Sequence, residues 1–184
     1  MSKKTVFKNE QGFTLLELIL CIVILAVGLT GVLSYFTQGM RNSSYAQNIA
    51  IATILAQDLM EEIKSKCWDQ TATTVSPCSG AVTPSAIGPD GVETRATYND
   101  VDDFNGLSNS PPKNSQNVLM PNPYNNMTVN TFTQTVSVCY VAAGTLNTCI
   151  VSPGTSNFKR IAVTISWGSV TGDQVQLVSV VTNH

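Results

Sequence analysis

The sequence predicts an α+β protein, with one long N-terminal helix, apolar and then amphipathic, packed on a C-terminal antiparallel β-sheet. Three observations predict it. From Leu18 to Phe36 there is no charged residue. Residues 41–66 turn polar but keep an apolar stripe at helical spacing, and no proline interrupts the chain before Pro77. After residue 126 apolar and polar residues alternate in strand-like runs.

The apolar segment is long enough to cross a bilayer. Leu18 to Phe36 rises about 28 Å as a helix, against a hydrocarbon thickness of about 30 Å. In residues 41–66, Tyr45, Ile49, Ala52, Leu55, Leu59 and Ile63 trace one helical face, and Gln57, Asp58, Glu61 and Lys64 lie mostly off it. One helix over about 14–66 is therefore expected, half in lipid and half on a globular head. Gly28 and Gly31 fall in the apolar half, where glycine is common and permits close packing. They are also soft points, each costing about 1 kcal/mol of helix propensity against alanine.

Bulk properties bound the rest. The chain has 184 residues and a formal net charge of −2. About 115 residues remain beyond the helix, which suits one compact domain. A mildly acidic surface offers no electrostatic footprint for nucleic acid. Of five cysteines, Cys21 lies in the apolar run as a reduced thiol, and the others form two close pairs, Cys67/Cys78 and Cys139/Cys149. Four cysteines allow three connectivities. Pairing of neighbours is favoured because each loop is short, and such a bridge is worth about 3 kcal/mol. Disulfides place the head in an oxidising compartment. A zinc site does not fit, since the spacings exceed those of zinc ligands and the sole histidine is His184.

In the head, residues 67–93 are rich in Ser, Thr, Pro and Gly and read as a loop region. Asp100, Asp102 and Asp103 follow in an acidic stretch that reads as a surface turn. With Asn105 they are also weak calcium candidates, although the spacing is not that of an EF-hand loop. Residues 105–126, rich in Asn and Pro, read as an irregular exposed loop. Met127 to Val141 alternates as a half-buried strand, with Gly144 marking a turn before Cys149. Phe158 to Trp167 alternates again, with Ile161, Val163, Ile165 and Trp167 on one face. Residues 170–173 supply a turn and Val175 to Val181 runs back, a hairpin that argues for antiparallel pairing. No triad, P-loop, metal-ligand or phosphate-binding motif is present, so neither an enzyme nor a cofactor is expected.

The most specific feature is Gly12-Phe13-Thr14-Leu15-Leu16-Glu17. One carboxylate opens an otherwise apolar helix, behind a leader carrying Lys3, Lys4 and Lys8. This pattern, over residues 8–36, resembles the type IV prepilin family, which includes pilins, minor pilins and type II secretion pseudopilins. A looser likeness, at 41–66, 95–106 and 158–182, resembles the PilV-type minor class. A secretory signal peptide would place its apolar region before the cut, whereas here it follows. The resemblance implies that prepilin peptidase cuts between Gly12 and Phe13 and N-methylates Phe13.

Four segments then follow: a cleaved basic leader at 1–12, a transmembrane half-helix at 13–39, an amphipathic half-helix at 40–66 and a β-rich head at 67–184. The basic leader stays cytoplasmic by the positive-inside rule, so the head lies outside, in the periplasm. Loss of the leader's +2 side-chain charge takes the net charge from −2 to −4. The resemblance further implies other pilin or pseudopilin subunits, an inner-membrane assembly platform and membrane lipid as partners. Many major pilins resemble one another in a mid-helix proline, which this chain lacks.

Glu17 has a physical role in this scheme. A carboxylate at a helix end can simply reach the headgroups. In a polymer, however, an amine freed at Phe13 of an incoming subunit can meet Glu17 of a neighbour at low dielectric, where either charge alone is penalised. Cleavage would thus license assembly. The expected function is a minor type IV pilin taking part in pilus assembly, with roles in adhesion or motility. The alternatives are a minor pseudopilin of a type II secretion system and, from another class, a membrane-anchored binding protein that never polymerises.

Overall fold

The computed structural model describes residue 12 and residues 14–69, 86–122, 131–150, 156–168 and 172–183. Among the described residues are one long helix, α1 (Leu15–Lys64), a 3₁₀ turn (Asp102–Phe104) and five strands. The chain divides into two units, residues 1–45 and 46–184, which are taken in turn.

The first unit is the apolar part of α1. Thr14 starts the helix: the Glu17 amide donates to the Thr14 hydroxyl at 3.3 Å and to the Thr14 carbonyl at 3.1 Å. No described residue of this unit is buried, and α1 is long and apolar enough to cross a membrane. Several of its hydroxyls are satisfied within the helix. Thr30 donates to the Ala26 carbonyl at 2.9 Å, Ser34 to Thr30 at 2.9 Å and Thr37 to Leu33 at 2.7 Å. Such back-bonding removes the cost of an unpaired hydroxyl in hydrocarbon.

The second unit is an α+β domain. Its part of α1 buries Ile51, Ala52, Leu55, Ala56, Leu59, Met60 and Ile63. The stripe expected from the sequence includes Tyr45 and Ile49, but both are exposed. Burial starts later and spreads wider, because residues three and four apart flank a broad helix face and recruit Ile51, Ala56 and Met60. The helix stops where Ser65 takes its last carbonyls, its amide on Glu61 at 3.0 Å and its hydroxyl on Glu62 at 2.6 Å.

The strands are β1 (Ser108–Asn109), β2 (Phe132–Ala142), β3 (Thr145–Ile150), β4 (Phe158–Trp167) and β5 (Gln174–Thr182), all antiparallel to their neighbours. β4 lies between β2 and β5, and the far side of β2 carries both β1 and β3. β2 and β4 register from Phe132 opposite Trp167 to Tyr140 opposite Lys159. β4 and β5 form the expected hairpin, Phe158 opposite Thr182 through Ser166 opposite Gln174. The Trp167 amide donates to the Asp173 carbonyl at 3.0 Å to close it, and Gly172 takes φ +116°, a conformation that favours glycine. Ile161, Val163, Ile165 and Trp167 enter one core with the helix face and with Val101, Phe104, Phe132, Val136 and Val138.

Residues 105–122 are held more firmly than an irregular loop. β1 pairs with β2, and buried Gln134 grips the Lys113 backbone, accepting from its amide at 3.2 Å and donating to its carbonyl at 3.1 Å. The Asn105 side-chain oxygen accepts the Val138 amide at 3.0 Å, extending the ladder ahead of β1. These are side-chain clamps that leave no periodic trace in sequence.

Candidate functional site

At the helix start, Gly12 and Thr14 are exposed, and an added Cβ at Gly12 meets nothing within 4 Å. Phe13, Cys78 and residues 1–11 lie outside the described residues. Glu17 sits in the first turn, where the helix dipole favours an anion. Thr14 and Glu17 also have capping-box spacing, Thr-x-x-Glu, and the Thr14 hydroxyl supplies its half of that arrangement. An added Cβ at Gly28 or Gly31 likewise meets nothing within 4 Å. Nothing among the described residues therefore requires glycine at these two positions.

In the head, Cys139 of β2 is bonded to Cys149 of β3 across that hairpin, Cα to Cα 5.6 Å. Cys67 is also disulfide-bonded, and Cys21 is free and exposed.

The acidic stretch is not a surface turn. Asp100, Asp102 and Asp103 are each 1% exposed. The physical reason is that they close their own loop. Asp100 accepts the Asp102 amide at 3.0 Å and the Asp103 amide at 3.2 Å. Asp103 accepts the Asn99 amide at 2.8 Å and the Asp100 amide at 3.1 Å. Cys67 pairs with Asp100 as a short parallel bridge, which carries the chain after α1 to the 3₁₀ turn and brings Asp69 beside it.

One carboxylate oxygen from each of Asp69, Asp100 and Asp102 lies within 4.8 Å of the others. The calcium reading named Asp103, whereas the geometry substitutes Asp69. The chain supplies its own cation there. Lys159, 0% exposed, donates to the Trp68 carbonyl at 2.7 Å, to Asp69 at 3.1 Å and to Asp102. Its ammonium lies 4.3 Å from the Trp68 ring centre and 5.4 Å from that of Tyr140. The Tyr140 hydroxyl donates to Asp69 at 3.3 Å. Burial, more than its neighbours, pushes the Asp102 carboxyl up, while Lys159 draws it back. Burial and then the charges of Asp69 and Asp102 push the Tyr140 phenol up. Sequence reading passed over Lys159, yet the signal was present: it shares strand parity with Ile161, Val163 and Ile165, the core-facing residues.

Against this geometry, residues 7–33 match the family model of the prokaryotic N-terminal methylation motif. The chain thus carries a type IV prepilin-like N-terminus, on a long apolar helix followed by a five-stranded antiparallel sheet, a pilin-like arrangement. The motif implies processing by prepilin peptidase and assembly with other pilins, and with the apolar helix it suggests a membrane-anchored protein. No curated protein and no solved structure matches the chain.

Proposed function

We propose that this chain is a minor type IV pilin of the PilV-like kind, a filament subunit that takes part in pilus assembly. It is held in the bacterial inner membrane with its head in the periplasm until it enters the filament. Prepilin peptidase removes residues 1–12 and methylates the amine of Phe13. Glu17 receives the Phe13 amine of an adjoining subunit, so cleavage turns a stable membrane protein into one able to polymerise.

The observation that carries this reading is the motif at residues 7–33 set on a helix whose apolar side chains from Leu15 to Phe36 have no partner within the first unit. Such a surface suits lipid first and neighbouring helices afterwards. Mass spectrometry of the mature N-terminus tests the processing, with methylated Phe13 as the expected start; an unprocessed Met1 would overturn it. Glu17→Ala tests assembly. Processed protein should accumulate in the membrane with filaments reduced at least about tenfold, the equivalent of about 1.4 kcal/mol per subunit contact. Normal filaments from that variant would remove the electrostatic account.

A further inference from the structure

Lys159 combines three features rarely found together. It is fully enclosed, its Nζ touches two carboxylates, and aromatic rings wall the site. We propose that Lys159 and Asp102 form a covalent modification site within the chain, in which Nζ and the Asp102 side-chain carbon are joined as an isopeptide (amide) bond, with Asp69 as the proton carrier.

The three requirements of such a condensation are each met by named groups. The first is proximity. Asp102 sits in the 3₁₀ turn (Asp102–Phe104), held because Asp100 accepts its amide, and Lys159 is fixed in β4 opposite Tyr140. Two reactants held in contact react as one molecule, which replaces the entropy that a bimolecular coupling loses. The second is dryness. Asp69, Asp102 and Lys159 are 5% exposed or less, so each ion carries a desolvation penalty that condensation removes with the charge itself. The third is a proton path. Asp69 accepts from Lys159 Nζ at 3.1 Å and from the Tyr140 hydroxyl at 3.3 Å, placing one carboxylate within reach of the reacting nitrogen.

The step balances without a cofactor or oxidant. A proton passes from the ammonium to Asp102, giving a neutral amine and a neutral acid. The Nζ lone pair adds to the Asp102 carboxyl carbon and the bond to its hydroxyl oxygen breaks. Asp69 takes the remaining ammonium-type proton from nitrogen and returns it to the departing oxygen. One water leaves, one amide forms, and nothing is oxidised or reduced. Asp100 stays outside the reaction, since its carboxylate is engaged by the Asp102 and Asp103 amides. The bond would tie the turn before β1 to the centre of the sheet, two segments 57 residues apart in sequence.

The competing state is a permanent ion pair of the same residues, and the two differ by the mass of one water. The full chain, purified in detergent with disulfides intact, is weighed whole and then digested. The expected result is a mass one water below that of the processed, disulfide-bonded sequence, unchanged by reduction apart from the bridges, and a branched peptide joining Lys159 to Asp102. Linear peptides with both side chains free would overturn the proposal, as would a branch at Asp69 or a water loss placed at an aspartyl imide. In Asp69→Asn the branched peptide should fall at least about tenfold. The Cys139–Cys149 bridge in the same digest marks a folded head. Undiminished branching there would overturn the proton-carrier role, and the wild-type mass decides the rest whether or not the variant folds.

Discussion

The guanidinium of Arg95 donates to the carboxylate of Glu62 at 2.7 Å, joining the loop before the 3₁₀ turn to the last turns of α1. The Arg95 side chain is 7% exposed and its guanidinium lies 4.8 Å from the Phe104 ring centre. Phe104 in turn meets Tyr98 edge to face, centres 5.1 Å apart. Burial lowers the Arg95 pKa and raises that of Glu62 even though each holds the other charged. The pair is thus an orientation device more than a source of net energy. Removing one half leaves the other enclosed. Glu62→Ala is expected to destabilise the head by about 2 kcal/mol, the cost of an abandoned buried donor. A drop in the thermal midpoint of the head measures it, and an unchanged midpoint would show the pair to be idle.

A pH effect follows from Glu93. Its carboxyl is pushed from 4.5 to about 7, first by burial and then by the hydrogen bond and charge of Asp103, with Asp90 adding to the repulsion. The Asn99 side-chain amide donates to it at 2.7 Å and the Asp90 amide at 3.2 Å. The folded head therefore holds this proton more tightly than the unfolded chain does. As pH rises from about 4.5 to about 7 the unfolded state loses its proton first, so stability falls across that window and levels off above it. Glu93→Gln should flatten this slope and make the head more stable at about pH 8 without altering it at about pH 4. Unfolding midpoints of both proteins across that range check the sign.

Lys159→Met leaves the carboxylates of Asp69 and Asp102 facing each other in a dry site. Where the pair is still ionic and unlinked, breaking it on one side costs about 3–5 kcal/mol. The expected result is a large loss of head stability, read from the fluorescence of Trp68 and Trp167, with α1 still inserted in the membrane. Adding Asp102→Asn to the same protein should recover part of the loss, because one of the stranded charges is then gone.

The helix stripe makes a position-specific prediction. Ile63 is 0% exposed and Ile49 is 38% exposed. Ile63→Ala should cost about 3 kcal/mol through lost burial and the cavity left behind. Ile49→Ala should change stability by no more than about 0.5 kcal/mol. Equal effects would mean that the sheet covers the helix further toward its N-terminus.

Regular elements were legible because each advertises a period. An expected helix over 14–66 is observed as Leu15–Lys64, and the hairpin read from Phe158 to Val181 is observed as Phe158–Trp167 and Gln174–Thr182. The turn of 98–104 was legible only as acidic. Asp100 and Asp103 are answered by amides of their own loop, but Asp102 is answered by Lys159, 57 residues beyond it, which also holds Asp69 after the helix end. Charge alone suggests solvent; only the partner reverses that inference, and the partner is distant in sequence. At the helix start the methylation motif was legible in the residues around Gly12, Phe13 and Glu17, whereas the capping hydroxyl of Thr14 stands beside a more conspicuous acid.

The back-bonded hydroxyls of Thr30, Ser34 and Thr37 have a further consequence. A turn of helix whose hydroxyls are answered from within asks nothing polar of whatever surrounds it. Fatty chains and fellow coils then become interchangeable neighbours, and extraction from one into the other breaks no polar bond along those turns. Under the proposed assembly, the passage would turn on shape and on the acid in the first turn, so a few atoms at Glu17 would govern where the apolar turns reside.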